Sequence, residues 1–309
     1  MSLPHNPGIA ENAKPFLKWA GGKTQLISSI KAILPAELKK NNFTYVEPFI
    51  GSGAVFFWML KEYPTISKVI INDVNTDLTS AYQTIKDAPE ALIKELAKLE
   101  KEYRKKTDRE AQKELFIKIR TKFNKRNSDN IEHTANLIFL NKTCFNGLYR
   151  VNSKNEFNVP MGRYVNPTIC DTQNIMNVHE ALRKVTILNG DYSKTYLKIK
   201  DKKDKAFYYF DPPYKPISTT ASFNAYANGG FGDVEQQRLK EFCDKLSSDN
   251  IKWVLSNSDV KNINPTDDFF DELYEDYHIQ RVKAKRSINS KGAKRGEIKE
   301  LLISNFLKT

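Results

Sequence analysis

Asp211-Pro212-Pro213-Tyr214 sets a carboxylate, two prolines and an aromatic ring directly after the apolar run Ala206-Phe207-Tyr208-Tyr209-Phe210. The run predicts a buried strand, and prolines cannot continue its ladder, so acid and ring are fixed at the strand's C-terminal edge. Open α/β sheets bind their ligands at that edge. A rigid carboxylate beside a flat stacking surface suits the exocyclic amine of a nucleobase. The ring holds the base while the oxygens accept its N–H bonds.

Two further constellations lie upstream. Lys18-Trp19-Ala20-Gly21-Gly22-Lys23 precedes the amphipathic run Gln25–Leu34, so paired glycines open a helix and lysines flank it, a pattern that admits an anion to backbone N–H groups. Tyr45-Val46-Glu47-Pro48-Phe49-Ile50-Gly51-Ser52-Gly53 reads as a strand ending in a Gly-x-Gly turn, with Asp73 closing the next strand. A glycine turn and an acid at that separation form the geometry of a nucleoside pocket, the acid accepting bonds from ribose hydroxyls. Phe56 stands where a third glycine would complete the dinucleotide fingerprint, which disfavours a dinucleotide.

The elements that must position these residues alternate in texture. Strands are expected at 44–50, 68–73, 185–190, 206–211, 251–256 and 300–306, and helices at 23–33, 53–62, 76–86 and 234–247, the pattern of a doubly wound α/β sheet. A long helical stretch is expected over 88–127, with Leu92, Ile93, Leu96, Leu99, Tyr103, Leu115, Phe116, Ile119 and Phe123 as its apolar positions. Within it, residues 94–126 carry 13 Lys+Arg against 6 Asp+Glu, more than half of the chain's formal +12. A solvated face and a phosphate-facing surface both account for that run. The overall excess, 49 Lys+Arg against 37 Asp+Glu in 309 residues, favours a polyanionic partner.

Cys144, Cys170 and Cys243 lack paired spacing, so neither a disulfide framework nor a metal site is expected, and the compartment should be reducing and cytoplasmic. No apolar run has membrane-spanning length, and residues 1–13 read as a flexible tail without a leader.

Taken in order, Lys18 to Lys23, Glu47 to Gly53, Asn146-Gly147-Leu148-Tyr149-Arg150, Glu156 to Tyr164, Asp211 to Tyr214, Thr219 to Tyr226 and Arg286 to Ser290 resemble the motifs of the DNA adenine-N6 methyltransferase family that includes the Dam enzymes. The resemblance covers most of residues 15–306. It implies a Rossmann-like methyltransferase sheet over 14–75 and 166–309, with a helical and β-hairpin target-recognition domain inserted at 76–165. It implies S-adenosylmethionine as donor, with Trp19, Lys23, Phe49, Gly51 and Gly53 around its methionine end, Asp73 at its ribose and Asp191 at its adenine. Asp211 and the Pro212 carbonyl would accept the hydrogens of the target amine, and Tyr214 would stack on a flipped adenine. Double-stranded DNA is the implied partner, read as GATC by Lys18, Leu148, Arg150 and Tyr164. A monomer is expected, with a companion restriction endonuclease as a further partner.

The hairpin is expected around Ser153-Lys154-Asn155, and residues 217–232 and 281–299 read as a loop and a basic segment near DNA. None of the three cysteines follows a proline, as the nucleophile of cytosine C5 methylation usually does, so that reaction is excluded. Three readings stay open beside the adenine one. They are an enzyme acting on cytosine N4 or glutamine nitrogen, a DNA-binding protein without catalysis, and a phosphate-binding regulator built on Gly21-Gly22-Lys23.

Overall fold

Phe43-Thr44-Tyr45-Val46-Glu47 forms β1 with all five residues buried, and Ala206–Phe210 forms β4 with the same pattern. Strands without an exposed face belong in the middle of a parallel sheet. The computed structural model, which describes residues 12–19, 23–199, 205–215, 231–285 and 297–306, places them there. The motif residues Ala20-Gly21-Gly22, Thr219–Tyr226 and Arg286–Ser290, most of the 217–232 loop, the centre of the 281–299 segment and nearly all of the 1–13 tail lie outside the described residues.

The chain divides into two compact units. The second comprises Lys23–Ile50, Tyr63–Asn72 and Asp191–Thr309. Its strands follow the order β2-β1-β4-β5-β7-β6, with β2 at Ile66–Asp73, β5 at Lys252–Ser258, β6 at His278–Lys285 and β7 at Glu297–Ser304. β2, β1, β4 and β5 run parallel, while β7 is antiparallel to both β5 and β6. The fold is therefore mixed α/β, mostly parallel with one antiparallel hairpin, and the reversed strand expected near the C-terminus is inserted beside β5 with β6 outside it. Expected strand limits agree within a few residues.

The expected helix over 23–33 is a 3-10 turn, Lys23–Leu26, followed by α1, Ile27–Ile33. α8, Asp233–Ser248, buries Leu239, Phe242, Cys243 and Leu246, with acids at its N-terminal turn where the helix dipole favours them. Trp253 on β5 is fully buried, its indole N–H donating to Ser247 Oγ at 3.0 Å. A short helix, α9, spans Phe269–Leu273.

The first unit, Met1–Gly22, Gly51–Glu62 and Asp73–Gly190, is mainly helical. It holds α2 at Ala54–Glu62, α3 at Thr76–Asp87, α4 at Pro89–Arg104, α5 at Arg109–Lys125, α6 at Asn130–Thr143, α7 at Thr172–Leu182 and the strand β3 at Val185–Asn189. The stretch expected as one helix over 88–127 is thus two. Lys105 to Thr107 end the first, and the Asp108 side chain caps the second by accepting from Ala111 N at 2.8 Å. The anticipated inward positions Leu92, Leu96, Tyr103, Leu115, Phe116, Ile119 and Phe123 are buried, whereas Ile93 and Leu99 are half-buried.

α6 was not expected because Thr134 to Asn141 are buried on every side, which leaves no amphipathic period to read. The expected hairpin forms to a reduced extent. Its arms are joined by isolated antiparallel bridges, Val151 to Phe157 and Cys144 to Met161, instead of a strand ladder. Backbone bonds cross between the arms, Asn152 N to Glu156 O at 2.9 Å and Asn158 N to Arg150 O at 3.1 Å, and Asn152 Oδ1 adds bonds from Lys154 N and Glu156 N at the turn. No helix among the described residues is long and apolar enough to cross a membrane.

Leu96 is fully buried, so Leu96→Ala should cost about 2–5 kcal/mol in denaturant unfolding. Ile117→Ala, at a residue 41 % exposed, should stay within about 0.5 kcal/mol. Glu47 ends β1 at 2 % exposure, accepting the Tyr45 hydroxyl at 2.6 Å. Burial pushes its carboxyl well above the ordinary 4.5, the Tyr45 bond opposes the rise and the Asp211 charge adds to it. A folded state that holds this proton more tightly than the unfolded chain is most stabilised at low pH and loses that contribution as pH rises. Glu47→Gln keeps the acceptor without the charge. Its melting temperature should therefore gain on the wild type between about pH 5 and about pH 8, and parallel profiles would contradict the assignment.

Candidate active site

Asp211 follows the last residue of β4, and Pro212 and Pro213 end the ladder behind it. Its side chain is 22 % exposed, and Oδ1 lies 3.0 Å from Lys23 Nζ and accepts from Ser256 Oγ on β5 at 3.2 Å. Lys23 opens the first 3-10 turn and is only 4 % exposed. Its ammonium also lies 3.3 Å from Glu300 Oε2 on β7, bonds the Tyr214 hydroxyl and sits 4.3 Å from the centroid of that ring. Tyr214 in turn donates to Glu300 Oε2 at 2.9 Å. One buried cation thus serves two carboxylates and a phenol, all within the second unit.

The electrostatics follow from that sharing. Burial opposes the Lys23 charge, but Asp211, Tyr214 and Glu300 outweigh it, so its pKa is raised. Burial raises the Asp211 carboxyl, and Lys23 and the Ser256 bond pull it back. Burial also raises the Tyr214 phenol, which stays a neutral donor. Pro212 is buried, and the Pro213 carbonyl accepts from Gln236 Nε2 at 3.3 Å, which fixes the turn that aims Asp211.

Trp19, Gly51, Gly53 and Asp73 come together in the first unit. Gly51 and Gly53 have φ of +47° and +75°, left-handed values that favour glycine. A Cβ on Gly53 would lie 2.7 Å from the Tyr82 hydroxyl, and one on Gly51 would lie 3.2 Å from Trp19 Cδ1. Gly51 N donates to Asp73 Oδ2 at 3.1 Å and Asn75 N to Oδ1 at 2.9 Å. Burial raises the Asp73 carboxyl despite these bonds. Trp19 stacks on Tyr149 with centroids 5.0 Å apart.

Phe49 and Asp191 lie in the second unit. Phe49 packs against Tyr192 and Phe231 at centroid distances of 5.4 and 5.7 Å. Asp191 caps the 3-10 turn Tyr192–Lys198 through Ser193 N at 3.0 Å and pairs with Arg238 at 2.6 Å. Burial opposes its ionisation, but the Ser193 and Arg238 bonds hold the carboxyl below its usual range.

Of the four expected base-reading residues, Lys18 and Tyr164 meet directly. Lys18 Nζ donates to the Tyr164 hydroxyl at 3.0 Å and lies 4.4 Å from the ring centroid. Gly147, at φ +64°, makes room for the lysine stem, since its Cβ would fall 2.4 Å from Lys18 Cδ. Asn141 fastens both backbones, accepting from Lys18 N and donating to the carbonyls of Lys18 and Gly147. Leu148 is half-buried next to Gly147. Arg150 is exposed and folds onto its own turn, Nε donating to Asn158 Oδ1 at 2.7 Å.

Glu300, Ser256 and Tyr149 were missed at the level of sequence. The legible signal for the first two is a polar residue inside or beside an apolar strand run, Ile298 to Ile303 and Trp253 to Ser256. Tyr149 belongs to a motif but carries no spacing signal of its own.

With this geometry in hand, comparison with known proteins is specific. Residues 19–288 match the family model described as D12 class N6 adenine-specific DNA methyltransferase. The chain is 49 % identical over 299 residues to the type II methyltransferase M.MjaIII of Methanocaldococcus jannaschii, covering 95 % of this chain and 99 % of that one. It is 38 % identical over 300 residues to the type II methyltransferase M1.LlaDCHI of Lactococcus lactis subsp. cremoris, covering 96 % of each. It is 33 % identical over 290 residues to a DNA adenine methylase of Vibrio cholerae, covering 94 % of this chain and 95 % of that one. A match across most of the chain, together with an Asp-Pro-Pro-Tyr corner at the end of a central strand, places this protein in the D12 class of N6 adenine-specific DNA methyltransferases.

Proposed function

We propose that the enzyme methylates the N6 amine of adenine within GATC in duplex DNA, using S-adenosylmethionine and flipping the target base. The observation that carries the reading is Asp211 at the end of β4, its Oδ1 3.0 Å from Lys23 Nζ, with the Tyr214 hydroxyl bonded into the same cluster.

The donor is the part of the reading that rests on the glycine turn. Left-handed glycines whose backbone N–H is fixed by a following acid fit a nucleoside-bearing sulfonium donor, and Trp19 lies against the turn. In the first unit Trp19, Gly51, Gly53 and Asp73 are assigned to it. In the second unit the assigned residues are Lys23, Phe49, Asp191 and Asp211. When bound, S-adenosylmethionine supplies an electrophilic methyl group for direct in-line transfer.

An adenine amine is a weak nucleophile because its lone pair is delocalised into the ring. Asp211 and the Pro212 carbonyl accept its two hydrogens and favour a pyramidal nitrogen. The task of the chain is positioning and electrostatic stabilisation. Lys23 and the Ser256 bond oppose the rise that burial imposes on the Asp211 carboxyl, which favours the accepting form. Tyr214 is the stacking platform that an extruded base needs.

Residues 76–165, which lie wholly in the first unit, are assigned to target recognition. Lys18, Leu148, Arg150 and Tyr164 read the bases, arginine pairing bidentately with guanine in the major groove and the leucine meeting a thymine methyl. The type II designation of two relatives supports a companion restriction endonuclease.

Single-molecule sequencing of duplex DNA exposed to protein and S-adenosylmethionine should show N6-methyladenine in GATC. N4-methylcytosine, or no modification, would overturn the reading. Asp211→Ala should abolish transfer while calorimetry still detects donor binding through the other assigned residues, and wild-type turnover in that variant would refute the role given to the acid. Arg150→Ala should lose about 1–3 kcal/mol of discrimination at one guanine, whereas an equal loss on every sequence would leave only a phosphate contact.

A further inference from the structure

The first unit contains a second buried charge cluster, built on α3, whose carboxylate is not among the individual donor-site or base-reading residues assigned above. Asp77 has a side chain 5 % exposed, with both carboxylate oxygens doubly engaged. Oδ1 accepts from Arg126 Nη1 and pairs with His133 Nε2 at 3.0 Å. Oδ2 accepts from Arg126 Nη2 at 3.0 Å and from the Tyr149 hydroxyl at 2.6 Å. Burial alone would raise this carboxyl, but the bonds from His133, Arg126 and Tyr149 hold it well below the ordinary carboxylate range. It is a fixed anion with four bonds, close to the saturation of its lone pairs.

Each partner leads to a different piece of machinery. Arg126 ends α5 in the left-handed region at φ +50°, unusual for a residue with a side chain, and its Nη2 also donates to the carbonyl of Asn155 at 3.0 Å. That carbonyl lies at the tip of the target-reading turn. Tyr149 sits one residue before Arg150, and its ring stacks on Trp19, which in turn lies against Gly51 and its bond to Asp73. His133 belongs to α6 and stacks on Phe123 at 4.4 Å between centroids. One carboxylate therefore fixes the tip of the recognition turn on one side and the aromatic wall of the glycine turn on the other.

We infer that Asp77 is a positioning residue whose bonds to Tyr149 and Arg126 couple occupation of the donor site to the arrangement of the target-reading turn. The inference rests on the donor and recognition roles proposed above. Neither hydrogen-bonded partner can shift without losing a charge-assisted bond in a buried place, so order imposed at Trp19 is felt at Asn155. A coupling between two sites is reciprocal, so donor affinity should rise with cognate DNA as DNA affinity rises with donor.

The test uses the full chain with S-adenosylhomocysteine, which allows no turnover, and a GATC duplex. Calorimetry gives the affinity for each alone and in the presence of the other. The wild type should show each ligand tightening the other about 10-fold, within the range usual for coupled sites. Tyr149→Phe keeps the ring on Trp19 and removes only the hydroxyl. It should bind S-adenosylhomocysteine alone as the wild type does and melt within a few degrees of it, yet its coupling factor should fall below about 2-fold. Asp77→Asn should lose the coupling in the same way. An unchanged factor in both variants, or no coupling in the wild type, overturns the proposal. A wild type that binds duplex but no S-adenosylhomocysteine defeats the donor reading itself, a result distinguishable from loss of coupling alone.

Discussion

The second unit is organised around a single buried ammonium. Lys23, 4 % exposed, holds together the turn at Lys23–Leu26, the C-terminal end of β4 and a side chain of β7, because it is bonded to Asp211, Tyr214 and Glu300 at once. A buried charge without partners is prohibitive, and removing one partner of a buried pair costs about 3–5 kcal/mol. The proposed chemistry rests on the same interaction. A carboxylate pushed upward by burial would take a proton and cease to be a two-fold acceptor, and Lys23 is what opposes that drift. The acid corner is thus held in place by a buried cation bonded to it.

The first unit solves a different problem with the same means. Its helices carry the positive charge concentrated over residues 94–126, much of it in exposed side chains, while the polar interior is spent on fixing loops. Asn141 fastens the backbones of Lys18 and Gly147, while Asp77 holds Tyr149 directly and, through Arg126, the carbonyl of Asn155. A turn whose arms share only isolated bridges has little ladder stability of its own. Buried side-chain bonds supply the rigidity that strands would otherwise give.

Glycines have roles only where the backbone demands them. Gly53 and Gly147 adopt left-handed φ and also face a Tyr82 hydroxyl and a Lys18 stem that a methyl group would strike. This explains why both sit inside motifs legible from sequence, since local conformation and long-range packing impose the same residue type. Arg126 is the opposite case. It adopts a left-handed φ without being glycine, and its side chain is engaged by Asp77 and Asn155.

Sequence determined the strands and the motif corners, because period, apolar runs and proline or glycine punctuation are local properties. Asp211 at a strand edge and the Gly-x-Gly turn before α2 could be placed without coordinates for that reason. Several features escaped it, among them α7, the short α9, α6, whose burial on all sides erases its period, and the break at Lys105 to Thr107, where the Asp108 cap marks a new start. What only tertiary structure decided is which polar groups share a charge. Lys23 and Tyr214 are 191 residues apart, and Asp77 and Tyr149 are 72 apart. No spacing rule reaches across such distances, because pairing there is set by strand order and helix packing.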